Sequence, residues 1–193
     1  GETEHLDSTR LPDYGPSKWN DNVARSGAIT IGSREILVAY NVNIDEKDAV
    51  VSKKIGSLVR SSGRLIKQKD GRRMRVPGML TLVQGMGVTL ESHGISQVSM
   101  NLRDVGQCPM HVAYEACKTL AEDHGLQAPG SELVGLVPLK AMLESGRWYA
   151  IGGETDEEKL VDAAINGLGL NQLEEFNPSE RIIEWAVSKA VGQ

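Results

Sequence analysis

The stretch that most constrains the fold runs from Met79 to Leu102, Met-Leu-Thr-Leu-Val-Gln-Gly-Met-Gly-Val-Thr-Leu-Glu-Ser-His-Gly-Ile-Ser-Gln-Val-Ser-Met-Asn-Leu. Two runs rich in Leu, Val, Ile and Thr flank Glu91-Ser92-His93-Gly94, the pattern of two antiparallel strands joined by a short glycine-containing turn. The second run alternates. Ile95, Gln97, Ser99 and Asn101 fall on one face, and Ser96, Val98, Met100 and Leu102 on the other. The largely apolar second face belongs against a core. The polar first face costs stability unless water, another domain or a ligand satisfies it, and an antiparallel sheet can simply wet such a face.

A second strand pattern carries the same message. Glu35 to Ile44 includes Ile36-Leu37-Val38-Ala39, apolar on both faces as in a central strand. Beyond it Tyr40, Val42 and Ile44 lie opposite Asn41 and Asn43. Buried asparagines need several hydrogen-bond partners each, and Asn41, Asn43, Gln97, Ser99 and Asn101 could make one polar sheet face. Upstream, Gly27 to Gly32 reads as a strand that turns at Ser33-Arg34 into this one.

Helices fill the intervals. Asp45 reads as an N-cap, and Val51, Ile55, Leu58 and Ser62 recur at helical spacing until Gly63. Pro109 opens a second helix with an apolar stripe ending at Gly125. Ser131 to Val137 reads as a last strand. Pro138 starts a short helix, Thr155 with Glu158 reads as a capping box, and Asn177-Pro178-Ser179-Glu180 starts another helix. The order strand, helix, hairpin, helix, strand predicts an α+β fold: a ferredoxin-like split βαβ sandwich with an antiparallel sheet, followed by C-terminal helices. The expected division is a linker over 1–26, a ferredoxin-like domain over 27–137 and a helical extension over 138–193 packed on it.

Two loops invite ligand readings. Pro12-Asp13-Tyr14-Gly15-Pro16-Ser17-Lys18-Trp19 is either a linker or a stiff loop offering backbone N–H groups and aromatic faces. Arg64 to Arg75 gathers Arg64, Lys67, Lys69, Arg72, Arg73 and Arg75 against Asp70, with Gly71 inside, and reads as a solvated loop or an anion-attracting arm on a chain of net charge −5.

Composition excludes several classes. Aromatic residues are 4% of the chain, too few for a base-stacking platform, so no nucleic-acid partner is expected. No apolar run reaches the ~18 residues of a membrane span. Cys108 and Cys117 share one helical segment, which suits neither a disulfide nor a metal site, so a reducing cytoplasm and no metal are expected. The chain opens on Gly1 rather than Met and reads as a piece of something longer. His111 lies near a helix N-terminus without a catalytic partner at a telling spacing. No phosphate-binding loop, dinucleotide fingerprint or hydrolytic triad is present. A split βαβ scaffold does not itself choose a function.

Six blocks nevertheless resemble one family, in its order: Pro12 to Pro16, Leu37 to Asn43, Val83-Gln84-Gly85-Met86-Gly87, Gln97 to Leu102, Glu132 to Lys140 and Pro178 to Glu184. Together they resemble the C-terminal subdomain of the formiminotransferase domain. The resemblance implies transfer of the formimino group of N-formimino-L-glutamate to tetrahydrofolate in histidine degradation. It implies two ferredoxin-like subdomains with folate between them. Tetrahydrofolate would be the co-substrate, and the N-terminal subdomain a partner, in a homo-oligomer. The resemblance places the folate-contacting loop at Asp13, Tyr14, Gly15, Pro16, Ser17, Lys18, Trp19 and Asn20. It leaves Asn41, Asn43, Gln97, Ser99 and Asn101 as substrate-facing candidates. The family's catalytic histidine lies in a His-Pro-Arg-Met-Gly-like motif of the other subdomain; His5, His93, His111 and His124 have different neighbours, so no catalytic residue is expected in this chain. Folates carry poly-glutamate tails, which the basic stretch 64–75 would attract. The competing reading is a ferredoxin-like regulatory domain that binds a small molecule without turnover.

Overall fold

The computed structural model describes residues 11–192; the first ten residues of the expected linker, His5 among them, and Gln193 lie outside the described residues. The chain forms two units, divided between Arg34 and Glu35.

Among its described residues the first unit contains one short helix, α1 (Asp21–Ser26), where the sequence predicts only irregular chain. Asn20 makes the difference, its Oδ1 accepting from the backbone N–H groups of Asn22 and Val23 at 3.0 and 3.1 Å. The strand expected over 27–32 is not formed. Ile29 and Ile31 are 85% and 89% exposed, and no backbone there joins a ladder. Alternation alone does not make a strand without a partner to complete its hydrogen bonds.

The second unit carries the sheet. Its strands are β1 (Val38–Ile44), β4 (Val83–Leu90), β5 (Ile95–Leu102) and β6 (Gly130–Val134), in the order β4-β5-β1-β6. All three pairings are antiparallel. Helix α2 (Val50–Val59) follows β1, α3 (Met110–Glu122) follows β5, and the two touch each other on one side of the sheet. This is the ferredoxin-like topology. Val38, Tyr40, Val42, Ile44, Val98, Met100, Leu102 and Leu133 point to the helix side and are all buried. The turn after β4 is a single 3-10 turn (Glu91–His93) closed by Gly94 in the left-handed region, φ 64°.

Helix α2 starts later than Asp45 predicts. Asp45 Oδ1 is taken by the backbone N–H of Gln127 at 2.7 Å, and Asp48 Oδ1 accepts from Val50 N at 3.0 Å instead. The buried face is also shifted, to Ser52, Ile55, Gly56 and Val59. The reason lies in β4. Gly85 and Gly87 point at the helix, and Gly56 points at Met86, so the two backbones meet without side chains between them.

Residues 64–75 are not a loop. They pair as β2 (Arg64–Lys67) and β3 (Arg73–Val76), a two-stranded ribbon whose side chains are nearly all exposed. The density of charge suggests a solvated loop, yet cross-strand pairing needs no burial when Gly71, at φ 84°, supplies the turn.

Beyond β6, α4 (Leu139–Tyr149) and α5 (Glu157–Leu168) pair with each other and pack on α3. The N-cap of α5 is Asp156, which accepts from Lys159 N at 3.0 Å; the predicted Thr155–Glu158 box is absent, and Glu154 accepts from the N–H groups of Thr155 and Asp156. Asn177 caps α6 (Pro178–Arg181) as predicted, but the helix breaks at Ile182 before α7 (Ile183–Val191). Ile182 is fully buried and forms a parallel bridge with Val137. Beside it the Arg181 guanidinium donates to the carbonyls of Leu133 and Gly135 along the free edge of β6.

Candidate functional site

The strand register assembles the polar face. Asn41 stands opposite Ser99 on one side and Glu132 on the other; Asn43 stands opposite Gln97 and Gly130. The side chains then connect. Gln97 Nε2 donates to Asn43 Oδ1 at 2.8 Å and to Glu132 Oε2 at 3.0 Å, while Asn41 Nδ2 donates to Gln97 Oε1 at 3.3 Å and to Glu132 Oε2 at 3.4 Å. Asn43 Nδ2 donates to Gln172 Oε1 at 2.5 Å. Asn43 is fully buried and Gln97 is 3% exposed, so these bonds offset a desolvation that would otherwise cost ~1–3 kcal/mol for each stranded group.

Of the five sheet residues singled out from sequence, Asn41, Asn43 and Gln97 therefore form one network. Ser99 is beside it in register, half-buried, and Asn101 makes a separate pair with Gln84 Oε1 at 3.3 Å. Sequence reasoning missed two members. Glu132 lies in a strand that reads as an apolar run, and its outward position follows only from pairing with Asn41. Gln172 lies in the segment after α5 that reads as connection. It reaches Asn43 because Gly130 has no side chain; a Cβ there would stand 2.5 Å from Gln172 Cβ.

That segment, 170–176, walls a cleft of about 100 Å³ together with the sheet. Glu132 lines it, as do Leu173, Glu174 and Phe176, with His93 from the β4–β5 turn and Arg181. His93 is exposed, and its Nδ1 is 2.9 Å from Ser92 Oγ.

Asp13 to Asn20 belong to the first unit and are exposed, with Tyr14 94% and Trp19 61% accessible. His111 is elsewhere in the second unit. Its ring stacks on Trp148 with centroids 5.1 Å apart, and its Nδ1 is 3.4 Å from the buried Ser145 Oγ. Burial lowers its pKa, with Glu115 acting in the opposite sense. His124 is exposed on the turn after α3. Cys108 and Cys117 are both free and buried, and burial pushes the Cys108 thiol up to about 11. Among the described residues no three His, Cys, Asp or Glu side chains converge as a metal site would need, and no helix is long and apolar enough to cross a membrane.

The family model of the formiminotransferase domain matches residues 39–188, from within β1 into α7. The chain is 38% identical over 180 residues to the formimidoyltransferase-cyclodeaminase of Gallus gallus, covering 92% of this chain and 31% of that protein. It is 34% identical over 151 residues to the glutamate formimidoyltransferase of Thermoplasma acidophilum, covering 78% and 44%, and 31% identical over 156 residues to that of Streptococcus pyogenes serotype M1, covering 81% and 46%. The chain thus spans less than half the length of these relatives, and every strand of its four-stranded sheet lies within or against the matched region. The chain belongs to the formiminotransferase domain family.

Proposed function

We propose that this chain is the C-terminal subdomain of a glutamate formimidoyltransferase, which moves the formimino group of N-formimino-L-glutamate to tetrahydrofolate in histidine degradation. The observation that carries the reading is the hydrogen-bonded amide network in which the buried Asn43 and Gln97 support the half-buried Asn41 and Glu132 on the side of the sheet away from α2 and α3. Such a face suits orientation of polar ligand groups by directed hydrogen bonds, which is how binding becomes positioning. The Asp13 to Asn20 loop, with its exposed Tyr14 and Trp19, supplies aromatic faces and backbone N–H groups for folate.

Transfer requires attack of a folate amine on the amidine carbon, through a tetrahedral carbon bearing nitrogen, and a general base to take the amine proton. An imidazole titrating near neutrality suits that task. His111 does not, being packed between α3 and α4. In this reading the base comes from an N-terminal subdomain, the chain contributes binding surface, and the complete cytoplasmic enzyme is a homo-oligomer that uses tetrahydrofolate as co-substrate and no metal.

The test is release of glutamate from N-formimino-glutamate with tetrahydrofolate present. Residues 1–193 alone should be silent, and joining or adding the N-terminal subdomain should restore turnover; loss of a general base by itself costs about 10²–10⁴-fold. Turnover by the isolated chain at the rate of the complete domain would place the base in this half. Calorimetric binding of a small molecule other than folate, with no turnover in either setting, would favour a regulatory domain.

A further inference from the structure

The amides on the open sheet face are not free to choose their orientation, because one of their partners is an anion. A carboxylate oxygen only accepts. The groups that face Glu132 Oε2 from Gln97 at 3.0 Å and from Asn41 at 3.4 Å must therefore be their NH2 groups. Gln97 then turns Oε1 to the other N–H of Asn41, at 3.3 Å, and sends its second N–H to Asn43 Oδ1, at 2.8 Å. Asn43, its oxygen occupied, offers Nδ2 to Gln172, which answers with Oε1. One carboxylate thus sets the polarity of four amides on β1, β5 and the segment after α5, and a chain of aligned hydrogen bonds holds that polarity cooperatively.

What the network leaves over follows from the same count. Both N–H groups of Gln97 and both of Asn41 are used, so neither has a donor to spare. Asn41 Oδ1 and Glu132 Oε1 receive no donor among the described residues. Among the described residues no buried side-chain nitrogen or oxygen lacks a partner, and Asn41 and Glu132 are both half-buried, so these two oxygens reach solvent. At Asn41 and Glu132 themselves the groups left over are acceptors only, one of them charged, beside the cleft that Glu132 lines together with Arg181.

We propose that Glu132 is the specificity-setting residue of this face, and that the face takes a cationic group rich in N–H donors, an amidinium, on Glu132 Oε1 and Asn41 Oδ1. An amidinium places N–H donors on a planar, charged frame, and a donor that carries charge strengthens its bond to a carboxylate. A carboxylate ligand would meet two unpaired oxygens at this point of the face, whatever it finds at Arg181 farther along the cleft. Only the identity of the natural amidinium, the protonated formimino group, rests on the transferase reading.

The experiment is NMR of the side-chain amides of the isotope-labelled chain, titrated with formamidinium and, separately, with formate. Formamidinium should shift the Asn41 and Gln97 amide signals and formate should not. Glu132→Gln, isosteric but able to flip, should weaken formamidinium binding by roughly tenfold or more, the usual worth of a hydrogen bond to a charged group. Its thermal midpoint should stay close to that of the parent. Glu132→Asp, which keeps the charge, should retain more of the binding than Glu132→Gln. Equal shifts by formate, unchanged binding in Glu132→Gln, or no shift with formamidinium up to the highest concentration the chain tolerates would each overturn the proposal. Glu132-dependent formamidinium binding in a chain that fails to support glutamate release beside its N-terminal half would leave the acceptor face standing and remove the transferase reading.

Discussion

Replacing Gly87 with Ala should loosen the whole α2 side of the sheet. A Cβ at that position would stand 2.0 Å from the backbone nitrogen of Lys53 and 2.3 Å from the carbonyl carbon of Ser52. Real Cβ contacts essentially never fall under 3.0 Å, and both obstacles are backbone, so the helix must retreat by about 1 Å. It cannot tilt away easily, because the adjoining turn is also held close, with a Cβ on Gly56 only 2.8 Å from the Met86 carbonyl carbon and one on Gly85 3.2 Å from the Gly56 carbonyl oxygen. Overpacking of this kind costs ~1–3 kcal/mol. The stiffer unfolded chain returns ~0.4–1 kcal/mol of that. A net loss of about 1 kcal/mol corresponds to a fall in Tm of roughly 2–4 °C for a domain of this size. Urea unfolding followed by circular dichroism should show the lower midpoint with an unchanged slope. Gly32→Ala is the control, since nothing lies within 4 Å of its Cβ and its backbone is unstrained. Equal midpoints for the two variants would refute the close approach of α2 and β4. The Val83-Gln84-Gly85-Met86-Gly87 block would then need a role other than packing.

Three further outcomes are expected. Asn43→Leu removes bonds to Gln97 and Gln172 and strands a nearly buried Gln97 N–H; it should cost about 2–4 kcal/mol in denaturant unfolding, and a cost under ~0.5 kcal/mol would show that the amide network is not formed. Stability should fall as pH drops below about 6.5, the ordinary histidine value, because burial lowers the His111 pKa in the folded state: the neutral ring's contribution is full above that pH and is lost on descending towards the depressed value. His111→Gln should flatten this part of the profile, and an unchanged slope between pH 7 and pH 5 would assign it to other groups. In the complete domain, Arg72, Arg73 and Arg75 replaced together by Ser should weaken poly-glutamated folate more than the mono-glutamate, in a graded, salt-sensitive way, since exposed pairs contribute only ~0–1 kcal/mol each; equal changes for both folates would count against an electrostatic role for the ribbon.

The residues differ in how plainly they announce their places. Strand β5 is legible over Ile95–Leu102 because its two faces meet different solvents, core and open surface, and the period-2 pattern records that difference. The same logic fails at Ile29 and Ile31, where the pattern is present and no partner strand is. It also fails at β2 and β3, where the partner is present and the pattern is drowned in charge. Asn41, Asn43 and Gln97 were legible as members of a polar face, because each sits one pleat from a polar neighbour. Glu132 and Gln172 were not, because their membership depends on register across β6 and on the space left by Gly130, and neither is a local property. The late start of α2 has the same origin: Asp45 is an adequate cap by type, but a distant backbone N–H at Gln127 claims it.

The hook formed by Arg181 and Ile182 bears on how this chain can be divided. Strand β6 is an outer strand, and the main-chain groups along its free side are occupied by Arg181, by the Ile182–Val137 bridge and by Ser131 N donating to Gly169 O at 3.2 Å. All three come from beyond residue 168. A shortened chain ending at Val137 would keep every strand of the ferredoxin-like sheet and lose everything that covers its margin. Such an uncovered margin is a template for pairing with another molecule of the same kind. The C-terminal helices therefore act as a guard against self-association, and the sheet should remain monodisperse only while the hook is attached.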